Sequence, residues 1–316
     1  MDTQTVGYKA KAFEPRNLAC YFLIVFGLQA LHYGLLITGV LKMPSVDGPA
    51  ALLEDPRLII LPLAAWGPII AAFVVTGFTE GKPGVRALWG CFWNRNMSTR
   101  WLLVTLLFLP AVELAAGLVS RLLDGQDYPI FFSYDPPWSI LLSFVMAFIF
   151  NGVFEEFGWR GYVLPRFQAK WNALSSSIIL GVIWAAWHFG QWLVPGSNLY
   201  QRNIWLWTFG TILLSIVITW IFNNTKGSVL AAVLVHAMWN TGIIWVKLDW
   251  RFYGVLLLTA ILIVIIYGPH NLVRQRLGEL SIGNSPQPEH PVRESPVLSA
   301  PQDVRTWDDS TQGEMQ

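Results

Sequence analysis

Three charged side chains follow an apolar run in the middle of the chain. Glu155, Glu156 and Arg160 fall within six residues, directly after the apolar residues 139–150. Ionisable groups at membrane depth are costly, and they commonly mark a functional site. On a helix, Glu156 and Arg160 are i,i+4 neighbours that can pair, whereas Glu155 points about 100° away. One carboxylate can then be held by the arginine while the other faces a cavity. The alternative is a helix end whose charges lie among lipid headgroups.

Two histidines lie in later apolar runs. His188 stands in the segment IWAAWHFG, one helical turn after Trp184. His236 stands in LVHAMWN, and Asn240 follows it at i,i+4 on the same helix face. A single histidine in an apolar helix is more often a packing residue than a catalyst. Two histidines and a carboxylate pair on three helices are harder to assign to packing.

These side-chain types suit hydrolysis. A carboxylate and a histidine can activate a water molecule and move its proton. A second histidine and an asparagine amide can donate hydrogen bonds to a developing oxyanion. A second possibility is that Glu155, His188 and His236 hold a zinc ion, which leaves a position for water. The residue types leave metal-free and zinc-dependent hydrolysis both open.

Other signatures are absent from the sequence. It contains no HExxH motif, which excludes a zincin helix, and no GxSxG motif, which argues against that type of serine nucleophile elbow. Cys20 and Cys91 are the only cysteines, so a disulfide framework and a multi-cysteine metal site are excluded. The net charge of +1 gives no basic footprint, so we expect no nucleic-acid partner.

The elements that must position these residues are membrane spans. Of the residues, 54% are hydrophobic and 13% are charged, whereas soluble domains carry about 25% charged residues. Apolar runs of about twenty residues have the length of a transmembrane helix. The sequence therefore predicts an all-α, polytopic membrane helix bundle of about eight transmembrane helices. The predicted spans are 17–41, 58–78, 101–123, 138–156, 173–194, 203–222, 228–246 and 252–267.

The predicted bundle lies between two polar ends. Residues 1–16 form a basic lead, residues 17–277 form the bundle, and the candidate site falls within about 139–245. Residues 278–316 are rich in Pro, Ser, Gln and acidic residues, a composition typical of disorder. Glu113 and His32 also lie inside spans. We interpret both as members of hydrogen bonds between helices, although Glu113 could line a substrate entrance.

Lysine and arginine in short loops predict the orientation, because they are more numerous on the cytoplasmic side. With the N-terminus inside, the inner segments carry twelve such residues and the outer loops carry six. Both termini are therefore expected in the cytoplasm. The terminal segments carry no organelle-targeting features, so we expect a bacterial plasma membrane.

The polar features resemble the three motifs of the type II CaaX prenyl endopeptidases, whose bacterial relatives are called the CPBP family. EEFGWRG is similar to the motif E-E-x-x-x-R, and HAMWN is similar to H-x-x-x-N. WAAWH is similar to the second motif, an aromatic residue followed by three residues and histidine, with Trp184 in place of the usual phenylalanine. The order, the spacing and the placement on three separate spans all agree.

This resemblance implies an intramembrane peptidase. Because the Asn240 amide can donate to an oxyanion but is a poor zinc ligand, we expect no obligatory cofactor, with zinc as the alternative. Glu155 and His188 would activate water, and His236 and Asn240 would form the oxyanion site. By the same resemblance, three residues would support the site: Glu156, Arg160 and Trp184. The implied substrate is a peptide or protein C-terminus, with or without a lipid group, in contact with membrane lipid.

Two other classes of protein stay open. One is a non-catalytic immunity factor or membrane scaffold that retains the site. The other is a transporter or proton relay, because buried glutamate and histidine also mark ion paths. A relay has no evident use for the amide of Asn240, so the oxyanion pair favours a peptidase. We expect the four catalytic candidates around one cavity near the cytoplasmic side.

Overall fold

The computed structural model describes residues 12–41, 63–93, 97–125, 139–242 and 250–274. Within these ranges the chain forms eight helices and no strand, which confirms the predicted all-α class. Most of the predicted N-terminal lead and the whole of the predicted disordered tail lie outside the described residues.

Each predicted span corresponds to a helix. In chain order the helices are α1 (Pro15–Ile37), α2 (Leu63–Phe92), α3 (Thr99–Asp124), α4 (residues 139–168), α5 (Ala173–Trp187), α6 (Ile204–Asn224), α7 (Val229–Gly242) and α8 (Trp250–Tyr267). Six helices in the described part of the chain are long and apolar enough to cross a membrane, namely α1, α3, α4, α6, α8 and α5 together with the 3₁₀ turn Phe189–Leu193. α7 is apolar but shorter. The chain is therefore an integral membrane protein built as a polytopic helix bundle.

α2 extends further than the sequence predicts. Its helix breaks at Gly81, where φ is 63° and ψ is −161°, a conformation that glycine adopts without steric cost. The helix resumes directly after the bend and extends to Phe92. Trp89 and Phe92 stack on Phe157 with ring centroids 5.7 and 5.4 Å apart.

α4 contains two π-helical segments, Ala147–Val153 and Trp159–Val163. The short α-helical turn Phe154–Gly158 between them carries both glutamates. Such π segments are rare within α-helices and often occur at functional sites. Pro165 lies in the first turn of the closing segment Leu164–Gln168, where its missing N–H is tolerated, and the helix continues through it.

Two glycines allow the helices that carry the motifs to approach closely. A Cβ added at Gly181 of α5 would lie 2.8 Å from the Cα of Ile212 in α6. A Cβ added at Gly152 of α4 would lie 3.0 Å from the carbonyl oxygen of Val233 in α7. Small residues at such crossings are typical of membrane helix packing, where close backbone approach drives association. α5 thereby packs closely on α6, and α4 packs closely on α7.

Contacts between helix termini define a proximal end of the bundle, where α1 begins. Phe13, just before α1, packs against Trp171 with ring centroids 5.3 Å apart. Arg166 Nη2 donates to Glu80 Oε1 at 2.6 Å, so the end of α4 and the bend of α2 meet there too. Asn223, in the last turn of α6, donates to a backbone carbonyl just after α8.

The opposite end, which we call the distal end, contains the end of α1. Leu36 of α1 and Val194 form a small apolar cluster there with Leu41. Arg251 at the start of α8 donates to Asp124 at the end of α3, with 2.6 Å between Nη2 and Oδ1. The chain therefore starts α6 and α8 at the distal end and ends α5 and α7 there.

Candidate active site

One cavity, of about 150 Å³, brings together all four catalytic candidates. Its lining includes Glu155 of α4, His188 at the end of α5, and His236 and Asn240 of α7. Trp184, one turn before His188, lines it as well. The expectation of a single shared cavity therefore agrees with the geometry, whereas the chemical roles of these residues stay predictions.

Trp184 holds Glu155 by a direct hydrogen bond. The indole Nε1 of Trp184 donates to Oε2 of Glu155 at 2.7 Å. The carboxylate is only 2% exposed, so this bond is made in an apolar surrounding where a lost partner is costly. A donor to an ionised acceptor makes the stronger kind of hydrogen bond. The predicted supporting role of Trp184 thus has a specific contact behind it.

Glu156 does not face the cavity but links two helices behind it. Its Oε1 accepts from Arg160 Nη1 at 2.9 Å and from His236 Nδ1 at 2.8 Å. All three side chains are buried. A carboxylate oxygen accepts and does not donate, so the proton of this bond belongs to Nδ1 of His236. Only Nε2 of that ring is left to face the cavity.

Arg160 has further partners inside the bundle. Its Nη2 donates to Ser215 Oγ of α6 at 3.3 Å, and that hydroxyl donates to the carbonyl of Ser177 at 2.9 Å. The guanidinium also lies over the Trp184 ring, 4.7 Å from its centroid. A buried charge needs such pairing to offset its desolvation. Arg160 thus joins α4 to α5 and α6 beneath the cavity.

His188 is fixed by the backbone one turn earlier. It caps α5, and its Nδ1 lies 2.8 Å from the carbonyl oxygen of Trp184. Because a carbonyl only accepts, Nδ1 carries the proton and the neutral ring presents a free lone pair on Nε2. Trp187 and Trp207 pack against the ring edge-on, with centroids 4.7 and 4.9 Å away. This arrangement suits a proton acceptor with one fixed orientation.

Several lining residues were missed by sequence reasoning. Asn151 stands one turn before Glu155 on the same helix face, so its spacing could have revealed it. Gln191 and Asn198 follow His188 in a segment without helical periodicity, which gave no signal. Thr211 and Tyr253 come from helices that carry no motif. All five of these residues add neutral polar groups to the cavity lining.

No group of three or more His, Cys, Asp and Glu side chains in the described ranges is placed to hold a metal ion. The three candidate zinc ligands instead have hydrogen-bond partners at one atom each. Glu155 is bonded to Trp184, His188 to a backbone carbonyl, and His236 to Glu156. Metal-binding histidines commonly donate their second ring nitrogen in this way, so these bonds do not decide between the metal-free and the zinc-dependent alternatives.

Glu113 and His32 lie outside the cavity lining. Glu113 of α3 is buried against Gly242 at the end of α7. Neither Glu113 Oε1 nor His32 Nδ1 has a hydrogen-bond partner among the described residues. These two atoms therefore do not make the hydrogen bonds between helices that we expected for Glu113 and His32.

The cavity lies toward the distal end. Its lining comes from the middle of α4, from the C-terminal parts of α5 and α7, from the N-terminal parts of α6 and α8, and from the segment that follows His188. The start of α1 and the residues after α8 lie at the proximal end. Two expectations from sequence are therefore incompatible. One expectation is that both termini are cytoplasmic, and the other is that the cavity lies near the cytoplasmic side. If the residues before α1 and after α8 lie in the cytoplasm, the cavity lies toward the opposite side of the membrane.

The fold and the site together define a polytopic membrane protein with a buried Glu–Arg–His cluster behind a polar cavity. Residues 137–242 match the family model described as type II CAAX prenyl endopeptidase Rce1-like. The chain is 30% identical over 199 residues to CAAX prenyl protease 2 of Methanococcus maripaludis, which covers 58% of this chain and 70% of the relative. The chain belongs to this family of membrane proteases, which confirms the resemblance seen in its motifs.

Proposed function

We propose that the protein is an intramembrane endopeptidase of the glutamate type, with no obligatory metal. The observation that carries this proposal is the convergence of Glu155, His188, His236 and Asn240 on one cavity. Membership of a protease family supports peptide-bond hydrolysis as the reaction. The name of the relative makes a peptide or protein C-terminus a candidate substrate, with or without a lipid group.

In this mechanism, a water molecule lies between the Glu155 carboxylate and Nε2 of His188. The water oxygen attacks the carbonyl carbon of the scissile bond, and its proton passes to Glu155. The carbonyl oxygen becomes an oxyanion, to which the Asn240 amide donates a hydrogen bond. His236 keeps Nδ1–H on Glu156, so it donates to the oxyanion from Nε2 in its doubly protonated, imidazolium form. The C–N bond then breaks, and the proton on Glu155 moves to the leaving nitrogen. The products are a carboxylic acid and an amine.

We also propose that the protein resides in a bacterial plasma membrane with both termini in the cytoplasm. The twelve-to-six distribution of lysine and arginine supports this orientation. Exposed leucines and isoleucines on α1, α3, α4 and α8 support direct contact with lipid on several faces of the bundle.

A peptide-cleavage assay on the purified protein tests the proposed function. Glu155→Gln keeps the shape of the side chain but removes the proton acceptor, so we expect turnover to be nearly abolished. Glu113→Gln is the matched control, because it changes a buried glutamate that does not line the cavity. Cleavage that is equally strong in wild type and Glu155→Gln would exclude the mechanism. A well-folded wild type that cleaves no peptide or prenylated substrate would favour the immunity or scaffold class.

A further inference from the structure

We propose that Gln29 of α1 is a positioning residue for His188. The proposal rests on the proposed function, because it concerns the side chain that would activate water together with Glu155. α1 carries none of the three motifs, and none of the described lining residues of the cavity belongs to it. It nevertheless contacts the turn that contains His188, and these contacts fix where the His188 ring stands.

Gln29 binds the end of the helix that leads into His188. Its Nε2 donates to the carbonyl oxygen of Trp187 at 3.0 Å, and Gln29 is only 6% exposed. Trp187 is the last residue of α5 and directly precedes His188. Carbonyl groups in the last turn of a helix lack partners within that helix, so they need donors from elsewhere. Gln29 supplies such a donor from a residue 158 positions away in the chain.

Two more residues of α1 continue this contact along the same face. Tyr33 lies one turn after Gln29, and a Cβ added at Gly190 would lie 2.0 Å from the Tyr33 ring. Leu36 lies one turn further and forms an apolar cluster with Val194. The spacing i, i+4 and i+7 places Gln29, Tyr33 and Leu36 on one stripe of α1. This stripe therefore follows the chain from the end of α5 through the turn that comes after it.

The turn depends on such contacts because little of it is buried. No residue of the 3₁₀ turn Phe189–Leu193 is buried. Segments with few buried contacts open locally at low free-energy cost. Trp192 packs against Trp207 of α6 on the far side of the turn, with ring centroids 5.1 Å apart. The bond to the Trp184 carbonyl sets the direction of the His188 ring, but the ring moves with the backbone that α1 holds in place.

The amide of Gln29 is the group to remove. A displacement of about 1 Å at a reacting group can cost about 100-fold in rate, so a loosened His188 should slow the chemical step. Methionine has nearly the length of glutamine and no hydrogen-bond donor. Gln29→Met therefore keeps the packing of α1 and removes only the bond to Trp187.

Hydrogen–deuterium exchange in detergent tests the contact without an activity measurement. We expect the amides of residues 188–193 to exchange roughly two- to tenfold faster in Gln29→Met than in wild type, the effect of one lost hydrogen bond. The matched control is Asn224→Leu. Asn224 Nδ2 also donates to the backbone carbonyl of a distant residue, Leu272, at 2.7 Å, but it does so at the proximal end. Asn224→Leu should leave exchange at 188–193 unchanged.

Steady-state cleavage kinetics separate positioning from a general structural role. Gln29→Met should lower kcat by about tenfold or more with little change in KM, because the contact affects the reacting group and not the cavity lining. Asn224→Leu should leave kcat near the wild-type value even if it lowers the melting temperature as much. An unchanged kcat in Gln29→Met, unchanged exchange at 188–193, or equal losses of kcat in both variants would overturn the proposal. If the wild type cleaves no peptide, the proposed function fails, and exchange alone decides whether Gln29 holds the turn.

A second variant tests the same contact from the other side and does not depend on the folding of Gln29→Met. The methyl group of Gly190→Ala must displace the Tyr33 ring, so we expect faster exchange at 188–193 and a lower kcat. Gly34→Ala is its control, because a Cβ added at Gly34 of α1 meets nothing within 4 Å. Gly34→Ala should behave like wild type. If Gly190→Ala matched Gly34→Ala in both measurements, α1 would not position the turn.

Discussion

The indole nitrogen of Trp184 lies 2.7 Å from Oε2 of Glu155, and both side chains are buried. The same residue offers its backbone carbonyl to His188 and packs edge-on against the His236 ring, with centroids 5.1 Å apart. Trp184 thus touches three of the four catalytic candidates. A phenylalanine, which the family's second motif usually has here, could pack in this place but could not donate to the carboxylate.

Trp184→Phe should therefore lower kcat while KM changes little. The substitution keeps an aromatic ring but removes one hydrogen bond to a charged group, which is worth about 1.5–3 kcal/mol. Expressed as a rate, that is a loss of about ten- to a hundredfold if the bond acts fully in the transition state. Steady-state kinetics on the purified protein would measure it.

The control for this variant is Trp220→Phe. Trp220 is also buried, its Nε1 has no hydrogen-bond partner among the described residues, and it packs near the proximal end against Trp101 and Tyr267. Trp220→Phe should leave kcat within a few-fold of the wild-type value. Equal losses in Trp184→Phe and Trp220→Phe would mean that ring size, and not the indole N–H, matters.

Glu156→Gln should reduce both stability and activity. The carboxylate neutralises the buried Arg160 and orients His236, and removing one member of a buried ion pair typically costs about 3–5 kcal/mol. Thermal unfolding in detergent and turnover would both be measured. Glu155→Gln should differ from it, with activity lost and the melting temperature almost unchanged.

A pair near the surface supplies the comparison for Glu156. Asp124→Asn removes the carboxylate that accepts from Arg251 at the distal end, where exposed pairs are worth about 0–1 kcal/mol. Its effect on the melting temperature should be small. If Glu156→Gln proved as mild as Asp124→Asn, the buried Glu156 contacts would not hold the site together.

Asn240→Ala should lower kcat by about 100- to 1000-fold, the usual loss for one oxyanion donor. Peptide binding and the melting temperature should be preserved, because Asn240 is half-buried and lines the cavity. Thr241→Ala is the neighbouring control, since the Thr241 hydroxyl donates to a carbonyl of its own helix and does not line the cavity. A fall in kcat of less than fivefold for Asn240→Ala would remove it from the mechanism.

Metal removal should leave activity unchanged. The Asn240 amide is a good donor to an oxyanion but is not among the usual zinc ligands, and the proposed water activation uses only Glu155 and His188. Metal content would be measured on the purified protein beside a chelator titration of the cleavage rate. Stoichiometric zinc, with activity lost on its removal and restored on its return, would support the zinc-dependent alternative with Glu155, His188 and His236 as ligands.

The sequence by itself determined the helices and the members of the site. Apolar runs and helical spacing are local properties, so they predicted eight spans and the i,i+4 pairs Glu156–Arg160 and His236–Asn240. The Glu156–Arg160 contact is present at 2.9 Å. Helix limits were less accurate. The predicted second span ended at residue 78, yet α2 resumes after the bend at Gly81 and extends to Phe92, where aromatic residues stack on Phe157.

Only the tertiary structure decided how the motifs meet and where their cavity lies. The bond from His236 to Glu156 joins residues 80 positions apart, and the one from Trp184 to Glu155 joins residues 29 apart. No local pattern encodes such contacts, because they depend on how the helices pack, for example on how closely Gly152 lets α4 approach Val233 of α7. The position of the cavity toward the distal end is likewise a property of the assembled bundle, since each motif by itself only marks one face of one helix.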